Sequence, residues 1–170
     1  LGSHLLGRSG TVSAAVEATF FGTPAIAASL YVPISADVAY EDVTVDADMY
    51  EVAADAVRYL VDNAFEAGVF ERADYLNVNA PIPDRATGEM TVTRPSHVHQ
   101  MEADWDGKHI VLQDRIWEAM VDGTVPDGEG TDRRAILDGA VSVSPLTAPH
   151  TTERHGTLTG LAEAYTADSS

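Results

Sequence analysis

The sequence predicts an α/β fold, because apolar strand patterns and an amphipathic helix pattern alternate along the first half of the chain. AIAASLYV, residues 25–32, is apolar without interruption, which is typical of a strand covered on both faces and predicts a central parallel strand. From Asp46 to Ala67, apolar residues recur at three- and four-residue steps, which predicts a helix that ends at Gly68. YLNVNA, residues 75–80, is a second strand pattern. Strand, helix and strand in this order predict a right-handed parallel βαβ unit.

A shorter helix pattern, residues 11–21, precedes the first strand and follows the turn GRSG at 7–10. Two interpretations of this turn are open. The unpaired N–H groups of a helix N-terminus, beside glycines and hydroxyls, can hold a phosphate. Alternatively, Ser9 or Thr11 caps the helix, as such residues commonly do. Arg8 could pair with a phosphate, although a lone arginine in a loop is usually solvated.

The middle of the chain predicts an antiparallel hairpin. Residues 89–113 alternate polar and apolar side chains and contain Asp106-Gly107, a strong hairpin turn signal. A free hairpin would not tolerate the apolar side chains that the pattern exposes, which are Met101, Trp105, Ile110 and Trp117. We therefore expect this arm to pack on another subunit, or on the body of its own chain.

Two elements are predicted after the hairpin. GAVSVSPL, residues 139–146, predicts a strand that follows the loop at 125–132. Residues 157–165 place Leu158, Leu161 and Tyr165 on one helical face. A helix this short is marginal alone, so it is expected to dock on other parts of the structure.

Charge restricts the environment and the partners. Asp and Glu total 27 against 10 basic residues, the net charge is −17, and Lys108 is the only lysine. Dispersed carboxylates repel one another unless salt screens them, which favours a protein from a high-salt cytoplasm over the alternative of an ordinary acidic protein. The charge argues against binding to nucleic acids or anionic membranes. The sequence has no cysteine, no apolar run of membrane-spanning length and no signal-peptide pattern, so we expect a cytoplasmic protein without disulfides.

Other candidate sites have simpler explanations. His97 and His99 alternate on a predicted strand, so their rings would share one face and could begin a zinc site, but a zinc site usually needs four ligands. A solvated face is the alternative. The acidic stretches EDVTVDAD and MEADWD predict solvated surfaces. Trp105 and Trp117 predict interface packing rather than stacking on nucleic-acid bases.

Three blocks of the sequence, in order, closely resemble the survival protein SurE family. They are SGTVSAAVEATFFGTPAIAASL at 9–30, LNVNAPIP at 76–83 and GTDRRAILDGAVSVSPL at 130–146. The resemblance implies a Rossmann-like three-layer α/β sandwich, here without its N-terminal strands, with a projecting β-hairpin and a C-terminal helix. It also implies a metal-dependent phosphatase that hydrolyses nucleoside 5′- and 3′-monophosphates.

The resemblance places Ser9, Gly10 and Thr11 at the phosphate end of the pocket. It implies a divalent metal, magnesium or manganese, whose ligands lie upstream of Ser9, so no metal ligand is assigned in this chain. With those ligands absent, the chain alone is expected to bind phosphate weakly and to hydrolyse nothing. Asp132 matches a family position but receives no role. The alternatives are a non-catalytic phosphate-binding and assembly module, or an unrelated α/β phosphate-binding protein.

The resemblance also suggests an organisation in three parts. Residues 1–83 are expected to form the C-terminal part of the Rossmann-like core, 84–122 a hairpin arm for oligomerisation, and 123–170 a return strand and a C-terminal helix. In the family the arm serves tetramer formation, and the helix is exchanged between dimer partners. We therefore expect a homo-oligomer, either a dimer or a tetramer.

Overall fold

The computed structural model describes residues 1–34 and 46–148, together with Thr159 and Ala162. Within them the α-helices are α1 (Ser3–Leu6), α2 (Gly10–Phe20), α3 (Glu51–Asn63), α4 (Ile116–Asp122) and α5 (Asp132–Leu137). The strands are β1 (Ala25–Tyr31), β2 (Tyr75–Pro81), β3 (Met90–Val92), β4 (Met101–Trp105), β5 (Ile110–Asp114) and β6 (Val141–Leu146). Short 3₁₀ helices lie at Ala47–Tyr50, Val69–Glu71 and Pro83–Arg85.

The main sheet has the strand order β1-β2-β6-β3. β1 and β2 pair in parallel with α3 between them in sequence, so the predicted parallel βαβ connection is confirmed. β6 pairs antiparallel with β2 and parallel with β3. Among the described residues β1 pairs with β2 alone, so it lies at the edge of the described sheet, and a central position in the complete protein stays a prediction. The apolar run reflects helices on both faces of β1, and it carries no information about neighbours at both edges.

The two faces of the sheet are covered by different helices. On one face, Ala53 and Ala56 of α3 pack with Val78 of β2 in the largest apolar cluster. On the other face, Val12 and Ala15 of α2 pack with Ala27 and Tyr75. This arrangement follows from the period-2 alternation of side chains along β1 and β2.

The predicted C′ role of Gly68 is confirmed, although the regular α-helix ends earlier, at Asn63. Regular α-helix stops at Asn63, and the chain continues in turns as far as Gly68, whose φ is +70°. The Val69 N–H then donates to the Ala64 carbonyl and the Gly68 N–H donates to the Phe65 carbonyl. These two bonds form the Schellman motif, which a left-handed glycine permits.

The predicted hairpin and its turn are confirmed in β4 and β5. These strands pair antiparallel, and Asp106 Oδ1 accepts the N–H groups of His109 (2.7 Å) and Lys108 (2.8 Å). These hydrogen bonds, led by that of His109, lower the pKa of Asp106 below its ordinary value. β3 pairs with β6 in the main sheet and does not belong to the hairpin. The hairpin of β4 and β5 is therefore a shorter segment than the predicted arm of residues 84–122.

The predicted strand through His97 and His99 is wrong. Residues 95–100 belong to no strand. The physical reason is that the Ser96 N–H donates to the Asp132 carboxylate at 2.9 Å instead of joining a ladder. A hydrogen bond between residues that are distant in sequence therefore prevents the strand that the local alternation predicts.

The predicted C-terminal helix falls almost wholly outside the described residues. Thr159 and Ala162 are both helical and exposed, whereas Leu158, Leu161 and Tyr165 are not described. Among the described residues, no helix combines the length and the apolar character that crossing a membrane would require.

An alanine substitution at Gly139 tests the close packing of this residue against Arg85. Its φ is +82°, and a Cβ built on it would overlap the Arg85 carbonyl oxygen. Gly139→Ala should therefore cost about 1 kcal/mol of backbone strain plus about 1–3 kcal/mol of overlap. Gly22, with φ +73° and nothing near its Cβ position, is the matched control, because Gly22→Ala introduces only the strain. Urea unfolding in molar potassium chloride measures both, and equal losses would contradict the close approach at Gly139.

Candidate phosphate-binding site

Ser9 caps the N-terminus of α2. Its Oγ accepts the Val12 N–H at 3.2 Å, and its carbonyl accepts the Ser13 N–H at 2.9 Å. The capping interpretation of Ser9 is therefore confirmed. It does not exclude phosphate binding, because capping uses a lone pair of the hydroxyl and leaves the O–H free to donate.

The first two residues of α2 present unused donors to solvent. Gly10 and Thr11 are exposed, and no atom lies within 4 Å of a Cβ placed on Gly10. In the part of the chain that the structure describes, no backbone acceptor takes their N–H groups. Arg8 is also exposed and has no ion pair among the described residues. Unpaired N–H groups and the positive end of the helix dipole favour an anion here.

The turn faces the carboxyl edge of the parallel strands. A short connection at 21–24 joins α2 to β1, and α2 packs back on β1 through Val12 and Ala15. The helix therefore runs opposite to β1, which brings its N-terminus to the edge where β1 and β2 end. Ligands of open α/β sheets bind at this edge.

A buried polar cluster lies under the start of the chain. We call it the Asp132 cluster, and it consists of Gly2, Ser96, Asp127, Asp132 and Arg133. The fully buried Asp132 carboxylate accepts three backbone N–H groups, from Gly2, from Ser96 (2.9 Å) and from Arg133 (2.9 Å). Arg133, 1% exposed, donates from Nη1 to the Val98 carbonyl at 2.7 Å and lies 3.4 Å from Asp127 Oδ2. Sequence reasoning gave this cluster no role, and its one signal was the Gly-Thr-Asp block.

A second polar row lies inside the sheet. Thr93 Oγ1 lies 2.8 Å from the hydroxyls of both Ser142 and Ser144. The neighbouring Asn77 and Asn79, both 2% exposed, have side-chain NH₂ groups without a hydrogen-bond partner among the described residues. Sequence analysis missed this row, although the alternation of Asn in LNVNA was its visible signal.

The histidines of the described segments do not form a metal site with their neighbours. His4 stacks on His99 with ring centroids 6.2 Å apart, and Ser3 Oγ lies 3.0 Å from His97 Nδ1. Among residues 1–34, 46–148, Thr159 and Ala162, no three His, Asp or Glu side chains are grouped so that they could hold a metal ion. The residues present therefore do not fit a metal centre, and we derive no metal-dependent step from them.

The fold defines the class of the protein. A mixed sheet with helices on both faces, and a helix N-terminus open at its carboxyl edge, is a Rossmann-like α/β arrangement. The chain belongs to the survival protein SurE family, whose model matches residues 1–102. The SurE protein from Aquifex aeolicus has a similar crystal structure, with a TM-score of 0.66 and 26% identity, over 96% of this chain and 60% of that one.

Similar sequences come from haloarchaea. Over 99% of this chain, the sequence is 59% identical to the "5'-nucleotidase SurE" of Haloarcula marismortui. Over 97% of this chain, it is 59% identical to the "5'-nucleotidase SurE" of Natronomonas pharaonis. These sources support the high-salt interpretation of the acidic composition. The chain spans 62% and 64% of the lengths of those two relatives.

The cap predicts that alanine substitutions at Ser9 and at Ser13 change the free energy of unfolding by different amounts. Ser9→Ala should lower the free energy of unfolding by about 1 kcal/mol, because the Val12 N–H loses its acceptor, whereas Ser9→Gly should cost only a few tenths. Ser13→Ala is the control, since this exposed helical position gains propensity from alanine. Thermal unfolding compares the three variants. A Ser9→Ala protein as stable as the Ser13→Ala protein would contradict the cap.

Proposed function

We propose that the complete protein hydrolyses the phosphate monoester of nucleoside 5′- and 3′-monophosphates, and that residues 9–11 hold the phosphoryl group. The observation that carries the proposal is the solvent-open turn at the N-terminus of α2, where the N–H groups of Gly10 and Thr11 lack acceptors among the described residues. Family membership and the names of the haloarchaeal relatives support the reaction. Because the chain spans less than two thirds of those relatives, the activity is proposed for the complete protein.

The chemistry of the turn suits a phosphate better than a neutral ligand. Two backbone N–H groups and the hydroxyls of Ser9 and Thr11 offer donors to the phosphate oxygens, and the helix dipole favours their charge. Phosphoryl transfer depends mainly on positioning and on electrostatic stabilisation of those oxygens. The family resemblance implies a divalent metal that would neutralise further charge. The described residues offer no site for it, so the role we derive for them is to hold the phosphate.

Gly10 provides the sharpest test of the turn. Gly10→Glu should raise the KM for a nucleoside monophosphate by roughly tenfold, because the new carboxylate repels the phosphate. It should leave the protein as stable or slightly more stable, since an acidic side chain suits a helix N-terminus. Gly10→Ala is the matched control, because open space surrounds the position. Equal KM values for the two variants would exclude residues 9–11 from the phosphate site.

A phosphate-release assay distinguishes the proposed enzyme from the alternative, a non-catalytic binding and assembly module. The complete protein, assayed in molar potassium chloride with magnesium or manganese, is expected to release phosphate from nucleoside monophosphates and to stop when the metal is chelated. Phosphate binding without release under any of these conditions would favour the binding and assembly module.

The hairpin supports a second proposal, that its apolar face binds a second copy of the protein. The pairs Ala103–Leu112 and Trp105–Ile110 share one face, on which Trp105, Ile110 and Leu112 are 61%, 69% and 62% exposed. The opposite face carries the polar side chains of Glu102, Asp104 and Gln113, together with Val111, which is 39% exposed. Exposed apolar area of this kind marks an interface. The proposed contribution of the C-terminal helix concerns residues outside those described.

Two charge-matched variants test the apolar face. Leu112→Glu should shift the protein to a smaller assembly, because it places a carboxylate among the apolar side chains. Gln113→Glu adds the same charge to the opposite face and should leave the assembly unchanged. Sedimentation in molar potassium chloride measures both. The interface proposal fails if Leu112→Glu leaves the assembly size unaltered.

A further inference from the structure

The Asp132 carboxylate joins three segments that are distant in sequence. Gly2 lies 130 residues before it and Ser96 lies 36 residues before it, and both donate their backbone N–H groups to its oxygens. The third donor is the N–H of Arg133, at the start of α5. Ser3 reinforces the connection, because both its N–H (2.7 Å) and its Oγ (3.0 Å) bond to the Ser96 carbonyl. The first residues of the chain are thus held on the segment that leads into the hairpin.

Gly2 fits closely over the arginine of the cluster. Its φ is +80°, and a Cβ built on it would overlap the Nη2 of Arg133. The backbone of Gly2 therefore lies directly on the guanidinium while its N–H bonds to Asp132. The position of Gly2 is fixed from two sides, by a hydrogen bond and by a close packing contact.

The anchored residues lead straight into the phosphate-binding turn. α1 spans Ser3–Leu6, and the N–H groups of Arg8 and Ser9 bond back to the carbonyls of Leu5 and Leu6. Beyond the turn, Val12 and Ala15 anchor α2 in the apolar cluster on β1, and Leu6 packs against the same cluster. The turn therefore lies between two anchors, of which the Asp132 cluster is the first.

We infer that Asp132 is a positioning residue, which holds residues 2–9 so that Ser9 and the first two residues of α2, Gly10 and Thr11, keep the conformation that binds phosphate. This inference rests on the phosphate site of the proposed function. Asp132 acts through Gly2 and α1 and does not itself touch the phosphate. Its removal should therefore weaken phosphate binding and leave the chemical step largely unchanged.

Two variants disturb the anchor from opposite sides. Asp132→Asn replaces one acceptor oxygen with an NH₂ group that faces a backbone N–H. Gly2→Ala leaves the carboxylate and its bonds to Ser96 and Arg133 in place, and it pushes residue 2 away from Arg133. The matched control is Asp138→Asn, because Asp138 is an exposed carboxylate at the other end of α5 that pairs only with the neighbouring Arg134 among the described residues.

The first measurement is the binding of inorganic phosphate to the chain by calorimetry in molar potassium chloride. We expect Asp132→Asn and Gly2→Ala each to bind phosphate roughly tenfold more weakly than the unchanged chain, and Asp138→Asn to bind it equally well. In the complete protein, the same two variants should raise KM by a similar factor while kcat changes by less than about twofold. A purely structural role would lower the melting temperature without this separation of KM from kcat.

The second measurement is amide hydrogen exchange, which needs no activity. The N–H groups of Arg8, Ser9 and Val12 should lose protection in both variants, whereas those of Ala27 and Val78 in the sheet should keep it. Unchanged protection at residues 8–12, or unchanged phosphate binding in both variants, would overturn the inference. If Asp132→Asn does not fold, Gly2→Ala alone decides. If the complete protein binds phosphate but hydrolyses no nucleoside monophosphate, the proposed reaction is overturned. Weaker phosphate binding by the two variants would then still support the positioning role.

Discussion

The buried carboxylate of Asp132 imposes the constraint on which the described structure depends. A charge removed from water costs several kcal/mol unless hydrogen bonds replace its hydration. Here the replacement comes from the N–H groups of Gly2, Ser96 and Arg133, which belong to three separate segments. The carboxylate is therefore satisfied only when all three converge. Such a cluster specifies one arrangement of the segments, whereas the apolar clusters on both faces of the sheet provide the larger stabilisation.

The acidic surface and the proposed phosphate site oppose each other at long range. A chain with a net charge of −17 repels an anionic substrate at low salt. The Debye length falls from about 10 Å at 0.1 M salt to about 3 Å at 1 M, so concentrated salt removes most of that repulsion. Contacts between a phosphate and the N–H groups of Gly10 and Thr11 act within a shorter distance. High salt therefore suppresses the unfavourable field and leaves the favourable contacts, which agrees with the haloarchaeal sources of the similar proteins.

Local signals in the sequence were sufficient where one segment decides its own structure. The left-handed Gly68 ended the helix pattern, and Asp106-Gly107 closed the hairpin, because each motif is closed by hydrogen bonds among its own neighbouring residues. Prediction failed where distant residues decide. The apolar pattern of β1 reports two covered faces but not how many neighbours the strand has. The alternation at His97 and His99 predicted a strand. The strand does not form because the Ser96 N–H donates to Asp132, a contact that no local pattern reveals. The sequence pattern indicated Ser9 to Thr11 as a candidate site, whereas it did not reveal the Asp132 cluster, which anchors the preceding residues.

The proposed site needs that anchor because the turn cannot order itself. α1 has four residues, and a helix of that length is unstable alone. Donors stabilise a charged ligand most when they are already fixed before the ligand arrives, since no reorganisation is then required. The order of the N–H groups at Gly10 and Thr11 therefore depends on tertiary contacts on both sides of the turn as well as on the local Ser9 cap. Val12 and Ala15 provide these contacts after the turn, and Leu6 and the Asp132 cluster provide them before it. On this inference, a residue more than a hundred positions away in sequence determines how well the proposed site can hold an anion.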